Sequence, residues 1–455
     1  METQKNSILT AAEVFGAYAT AYQSQSLDAG VLHHAKRAVL DWHAALLAGK
    51  DLAPVPQLRA LLATEGANGR ARLVGGGCAT ARGAALLNGT AAHAAEVDDS
   101  FRDAMYHPGA ATISAALSMA QETGASGMDF LRAVILGYEV STRIGVVLGR
   151  EHYKYWHNTG SVGIFGAAAA TASILGLKEV QFAHALATAA TFSSGLQQAF
   201  RMDSMSKPLH PGRAAEGGVF AGQLAACGVT GSLDILDGND GLGQAMSNGP
   251  DWSQVGTALG ADFNITRLTF KNHVGCGHTF AAIDGALSLM QQHRLRSADI
   301  EHVLVATYGP ALDIACYDDP RSVSEARFSV PFVVATAMTH GSVRSDAYTA
   351  DRLFDPHIRA LMGRITTTVD PVIDAEFPRR RSARVEVQMH NGQRYVWYQP
   401  DRKGDPELPL SDAELDQKFL HLEIPVIGQE KADELRESIW TLEHARDLTG
   451  LIPYP

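Results

Sequence analysis

Histidines, a lysine and acids gather at a few places in a chain otherwise rich in small apolar residues. The stretch NGTAAHAAEVDDSFRDAMYHPGA holds His93, Glu96, Asp98, Asp99, Ser100 and His107; YWHNTGSVG holds His157; SMSKPLHPGRAAEGG holds Lys207, His210 and Arg213. KNHVGCGHTFAAIDG holds Lys271, His273, Cys276 and His278, and DPRSVSEARFSVPF adds a fifth polar cluster. Imidazole is the side chain suited to moving protons near neutral pH, with a reference pKa of ~6.5. Lysine and arginine supply fixed positive charge for an anion. Four of the clusters stand directly before an apolar run that reads as a helix. A helix N-terminus exposes unpaired N–H groups and the positive end of the dipole, so these positions suit a carboxylate or a phosphate. The plainer reading of any one cluster is a polar loop that caps a helix. On a helix, His93 and Glu96 would share a face and, with the acids that follow, could ligate iron or zinc. No second Glu-x-x-His pair and no His-Glu-x-x-His motif accompanies them, so no metal site is expected. VGGGCATARG lacks the Lys-Ser/Thr ending of a phosphate-binding loop.

The elements that must hold these residues are mostly helices. In residues 31–47 apolar side chains recur at Val31, Leu32, Ala35, Ala38, Val39, Trp42, Ala45 and Leu46, a helical stripe. Ser126 and Asp129 form a capping box for a helix that runs to Leu148, with Gly149 as its stop. GSVGIFGAAAATASILGL and RAAEGGVFAGQLAACG are apolar all round and rich in Ala and Gly, which suits closely packed central helices. Up to about residue 260 the chain reads as helical. From about residue 262 the character changes. NITRLTF, EHVLVATYG and ITTTVD read as short strands. ARVEVQMHNGQRYVWY alternates around Asn391-Gly392, a hairpin signal in which both turn residues take positive φ. Helical runs lie between. The expected architecture is mainly α with a smaller α+β domain: residues 1–262 all-helical, 263–402 α+β, and 403–455 a helical segment that returns to the first domain. DRKGDPELPLS reads as a linker before that tail.

Bulk properties exclude several classes. The 455 residues carry a net charge of −11, with 46% hydrophobic and 19% charged residues, an ordinary globular composition. That charge argues against a nucleic-acid groove, and Arg379-Arg380-Arg381 reads as a solvated loop. No apolar run is long enough to suggest a membrane span, and METQKNSILTAAEVFGAY does not resemble a signal peptide. Cys78, Cys227, Cys276 and Cys316 are far apart, which argues against a zinc or iron–sulfur site and for reduced thiols in a cytoplasmic protein.

NGTAAHAAEVDDS…HPG, the Trp156–Thr171 stretch, SKPLHPGRAAEGGVFA, CGHTFAAIDGAL and EARFSVPFVVATA, in that order over nearly the whole chain, resemble the MmgE/PrpD family. That family includes 2-methylcitrate dehydratases, cis-aconitate decarboxylases and an iminodisuccinate epimerase. The resemblance implies a large helical domain, a smaller α+β lid, usually a homodimer, and chemistry without a cofactor. The shared chemistry is a carbanion or enediolate next to a carboxylate. By resemblance Glu96, His107, His157, Lys207 and His278 are catalytic, and Asp99, Ser100, Lys207, His210, Arg213, His273 and Cys276 bind substrate. Either His273 or His278 matches the family histidine. Glu96 stands where the family commonly has Asp, and Ser100 where it has Thr, which alters reach near the reacting carbon. The implied activity is a hydro-lyase acting on a small di- or tricarboxylate. An epimerase or decarboxylase on the same scaffold is the alternative, and a non-catalytic carboxylate-binding protein is a third reading.

Overall fold

The computed structural model describes residues 9–65, 68–200 and 204–452; residues 1–8, part of the stretch read for a leader, lie outside them. The chain divides into two compact units, Met1–Thr269 with Asp412–Pro455, and Phe270–Ser411.

The first unit opens with α1 (Ala11–Gln23), α2 (Ala29–Gly49) and α3 (Val55–Ala63). A short antiparallel ribbon, β1 (Ala71–Arg72) and β2 (Cys78–Ala79), follows. Then come α4 (Ala81–Ala94), α5 (Pro108–Thr123), α6 (Gly127–Tyr153), α7 (Asn158–Ser161), α8 (Gly163–Ile174), α9 (Glu179–Thr191), α10 (Ser206–Ala226) and α11 (Leu242–Met246). The reading of everything to residue 260 as helix is corrected twice. The ribbon turns through Gly75, Gly76 and Gly77, all at positive φ. After α10 the Gly- and Asp-rich chain holds only α11 and short 3-10 turns among its helical elements. The Ser126–Asp129 capping box starts α6, and the helical backbone breaks at Gly149 (φ 65°, ψ −157°), where the sequence places its stop, before a further turn to Tyr153.

Small residues set the spacing of the central helices. At Gly212 in α10 an added Cβ would lie 2.2 Å from Thr90 Oγ1 and 2.4 Å from the Leu86 carbonyl oxygen in α4. No side chain fits there, so the start of α10 lies against the end of α4. Gly218 meets α8 in the same way, 2.3 Å from the Ala167 Cβ.

The second unit contains α12 (Phe280–His293), β3 (Ile300–Thr307), α13 (Gly309–Ile314), α14 (Val323–Ala326), α15 (Val330–His340), α16 (Ala350–Leu353), α17 (Pro356–Met362), β4 (Ile365–Val369), α18 (Pro371–Glu376), β5 (Ala383–Met389) and β6 (Arg394–Gln399). Its sheet runs β4-β3-β5-β6, with β3 and β4 parallel and the other pairs antiparallel. Along β5 the buried side chains are Ala383, Val385, Val387 and Met389, the period of two that the sequence shows. The chain is therefore a large helical part with a smaller α+β part.

Three local expectations are corrected. NITRLTF forms no strand: Asn264–Arg267 is a 3-10 turn, held because Asn264 N–H donates to Glu139 Oε1 (2.6 Å) and its amide to Thr142 Oγ1 (2.9 Å). In the hairpin Gly392 has positive φ (82°) but Asn391 does not. Met389 N–H donates to the Gln393 carbonyl across a three-residue loop, the alternative to a two-residue turn. DRKGDPELPLS is anchored, not a loose linker: Arg402 and Asp405 are buried and paired at 2.7 Å.

The tail forms α19 (Asp412–Ile427) and α20 (Gln429–Trp440). It is fastened to α2 by polar pairs: Lys418 to Asp41 at 2.5 Å and His43 to Glu423 at 2.9 Å, both buried, and the partly buried Lys36 to Glu443 at 2.8 Å. Among the described residues no helix is long and apolar enough to cross a membrane.

Candidate active site

α4 ends one residue after His93, and Glu96 then takes a left-handed backbone (φ 59°). This reversal corrects the view that His93 and Glu96 share a helix face. It sends the two side chains to different partners. His93 Nδ1 meets Asp98 Oδ2 at 2.8 Å, and Glu96 accepts an ion-pair hydrogen bond from Lys207 Nζ. His107, the N-cap of α5, donates from Nδ1 to the Asp99 carbonyl at 2.6 Å and lies 3.4 Å from Asp98 Oδ2. One carboxylate thus faces two imidazoles.

Asp99 is buried beneath this loop. Tyr138 Oη donates to its Oδ2 at 2.6 Å and the Gly109 N–H to its Oδ1 at 3.0 Å. Gly109 is required by that approach, because an added Cβ would stand 2.8 Å from Tyr138 Oη and 3.0 Å from Asp99 Oδ1. Burial, with the negative charge of Asp41 added, pushes the Asp99 carboxyl up to about 8.

His157 caps α7, and its N–H donates to the Gly195 carbonyl at 2.9 Å. Its Nδ1 lies 2.9 Å from His210 Nδ1. Such a contact needs one nitrogen protonated and the other bare, so the two rings hold opposite tautomers. The His93 ring centre is 4.9 Å from that of His107 and 5.7 Å from that of His157, which is 5.1 Å from His210. Four imidazoles therefore adjoin the Lys207–Glu96 pair. Burial holds the His157 pKa well below the usual histidine value, and His93, Lys207, His210 and His107 add to the effect. His210 is lowered to about 4, by burial first and then by His93 and Lys207. His93 Nε2 is buried with no hydrogen-bond partner among the described residues. An orphaned nitrogen costs about 1–3 kcal/mol unless a water or a ligand meets it.

Lys207 and His210 lie on α10 itself, not before it as the sequence suggests, since α10 starts at Ser206 despite Pro208 and Pro211. Arg213, two turns in, is not brought to this cluster: its side chain is 64% exposed and paired with Glu216. Ser100 is half-buried and pairs through its backbone with Thr269.

The other expected residues lie in the second unit and form their own network. His273 Nε2 bonds Asp284 Oδ1 at 2.8 Å, Asp284 Oδ2 accepts from the Lys403 N–H at 2.8 Å, and His273 Nδ1 is buried without a hydrogen-bond partner among the described residues. His278 Nδ1 meets Tyr308 Oη at 2.8 Å. Burial lowers His278 well below the ordinary range, with Arg381 and Arg402 adding to it. Cys276 is buried and fixed through its N–H to the Arg327 carbonyl at 3.0 Å.

The sequence reading left His93, Asp98, Tyr138 and Asp284 out of the site. The first two stand within the first polar cluster, but their pairing depends on the turn at Glu96. Tyr138 and Asp284 sit within apolar helical runs, where the buried polar residue is itself the signal. His93, Asp98 and His107 also bring potential metal-ligand atoms within 4.8 Å of one another. The hydrogen bonds between them equally suit proton handling.

Residues 13–255 match the MmgE/PrpD N-terminal domain and residues 273–444 the MmgE/PrpD C-terminal domain. The chain is 25% identical to the cis-aconitate decarboxylase-like protein oryM of Aspergillus oryzae, over 96% of this chain and 95% of the relative. It is 26% identical to cis-aconitate decarboxylase of Homo sapiens over 82% and 79% of the two chains. The corresponding protein of Aspergillus terreus is 24% identical over 81% and 80%.

Proposed function

The chain belongs to the MmgE/PrpD family, and on that premise we propose that it is a lyase acting on a small polycarboxylate through a carbanion next to a carboxylate. The observation that carries the reading is the cluster of four imidazoles, His93 and His157 buried and His107 and His210 half-buried, beside the Lys207–Glu96 ion pair. Lys207 is the cation for a substrate carboxylate, which exchanges with Glu96 as its partner. A charge-assisted contact of this kind is worth a few kcal/mol away from bulk water. His157, neutral because it is buried, accepts or returns a proton at the carbon. His107, held through Nδ1 by the Asp99 carbonyl, is the second proton-transfer group.

Decarboxylation of cis-aconitate or a close analogue is the leading reaction, supported by relatives of that name that match most of this chain. In that step the bond from carbon to a carboxylate breaks and CO₂ leaves. The electron pair stays on the allylic carbon skeleton, and a solvent-derived proton, taken up by the imidazole cluster and passed to carbon, completes the product. Dehydration of a 2-methylcitrate-like acid is the second reading. Burial keeps His157 and His210 unprotonated, so either can accept the proton that this elimination removes. Epimerisation uses the same base. The proposal includes a homodimer, which light scattering on the purified protein tests, and no cofactor. Prolonged dialysis against a chelator should leave turnover unchanged; loss of turnover restored by zinc or iron would reject that part.

The substrate test is a screen of cis-aconitate, 2-methylcitrate, citramalate-like acids and substituted succinates, followed by NMR and CO₂ release. A new vinyl signal with CO₂ is decarboxylation; the signal without CO₂ is dehydration. No change with any polycarboxylate would sink the reading.

A further inference from the structure

We propose that Lys418, on the C-terminal helix α19, is a positioning residue for the loop that carries Glu96, Asp98 and Asp99. Its ammonium is 3% exposed and makes two contacts at once. It donates to Asp41 Oδ1 on α2 at 2.5 Å and to the Val97 carbonyl at 2.7 Å. Val97 stands between Glu96, the partner of Lys207, and Asp98, the carboxylate that faces His93 and His107. The loop has further fixings at Asp99, which receives Tyr138 Oη and the Gly109 N–H, and at Ser100, which exchanges backbone hydrogen bonds with Thr269. Lys418 is the fixing at the strained end, next to the left-handed Glu96.

An isolated buried ion pair would not by itself argue for such a role. Replacing both partners with apolar residues of similar size is often neutral or stabilising, whereas removing one leaves an uncompensated charge. The Val97 contact distinguishes this pair. A backbone carbonyl cannot be exchanged for an apolar group, so removing the ammonium alters the loop even when the Asp41 charge is removed with it. The tail thereby supports the catalytic loop from more than 300 positions away in sequence.

The test uses the full chain with Lys418→Met and with the double variant Asp41→Leu/Lys418→Met. The single change should lower the melting temperature, and the double change should restore part of it, the lost Val97 contact still costing stability. Hydrogen–deuterium exchange of the segment 95–101 should rise about tenfold in the double variant, while α2 and α19 keep wild-type protection. Turnover of the acid consumed best in the screen should fall roughly 10–100-fold in kcat, with KM changed less than about threefold, as for misplaced catalytic groups. A double variant with wild-type exchange at 95–101 and wild-type kcat would overturn the proposal, leaving Lys418 as a counter-charge for Asp41 alone. If the double variant does not fold, Lys418→Gln decides: raised exchange confined to 95–101 upholds the role and unchanged exchange overturns it. The kinetic arm rests on the proposed function. The exchange arm does not, so a wild type inactive on every acid would count against that function and leave this inference to be judged by exchange.

Discussion

Glu96 occupies a backbone conformation that favours Gly or Asn, at the position after a helix C-cap where Gly is the usual choice. A glutamate held there at a cost, and paired with Lys207, is placed for its carboxylate. Glu96→Gly and Glu96→Ala both remove that carboxylate, but only glycine relieves the backbone. Denaturant unfolding should find the Gly variant about 1 kcal/mol more stable than the Ala variant. Both should lose about 100-fold or more in turnover. Equal stability would remove the strain argument. Asp99 gives a pH prediction. Its folded pKa, about 8, lies above its unfolded value. Its contribution is therefore fully present below about pH 4 and is lost as the pH rises towards 8. Asp99→Asn imitates the protonated acid, so its stability should fall less than that of the wild type between pH 5 and 8.5, by on the order of a few kcal/mol. An unchanged slope would show that Asp99 titrates normally. His157 and His210 have the opposite sign: their lowered values make protonation unfavourable to the fold as the pH falls below about 6.5, for His210 towards about 4.

Among the elements, α4 and α10 form the frame of the site, because Gly212 lets one lie on the other and sets Lys207 and His210 opposite Glu96 and His93. Gly212→Ala would drive a methyl group into Thr90 and the Leu86 carbonyl. It should cost about 1–3 kcal/mol, as overpacking does, and lower kcat as well. A variant with wild-type stability and kinetics would show that this spacing is not needed. Residue periodicity made the helices and the β3–β6 strands legible. The ends of elements were harder to read: Gly149 breaks α6 where expected, but α10 begins within a Pro-containing segment. NITRLTF has strand-like composition, yet the buried Glu139 captures its backbone, a tertiary contact that no local pattern reveals. The same limit applies to the site. Its residue types were visible in the first three clusters, but the separate partners of His93 and Glu96 depend on one left-handed residue.

At the scale of the whole molecule, the helical unit needs its C-terminal return as well as its N-terminal half, since α2 is joined to the tail by several polar pairs. The second unit carries two histidine arrangements, and variants can tell them apart. If the His273–Asp284 pair is the family's catalytic histidine, His273→Ala should lower kcat roughly 10²–10⁴-fold, and His278→Ala should do so far less; the reverse result would assign His278. The most direct test of the central claim, a carbanion protonated by the imidazole cluster, is the isotopic content of product formed from cis-aconitate in D₂O. The wild type should place one solvent deuteron on carbon per CO₂ released, and folded His157→Ala protein should be slowed roughly 10²–10⁴-fold with KM little changed. Product without solvent deuterium, or a folded His157→Ala protein with wild-type kcat, would contradict it.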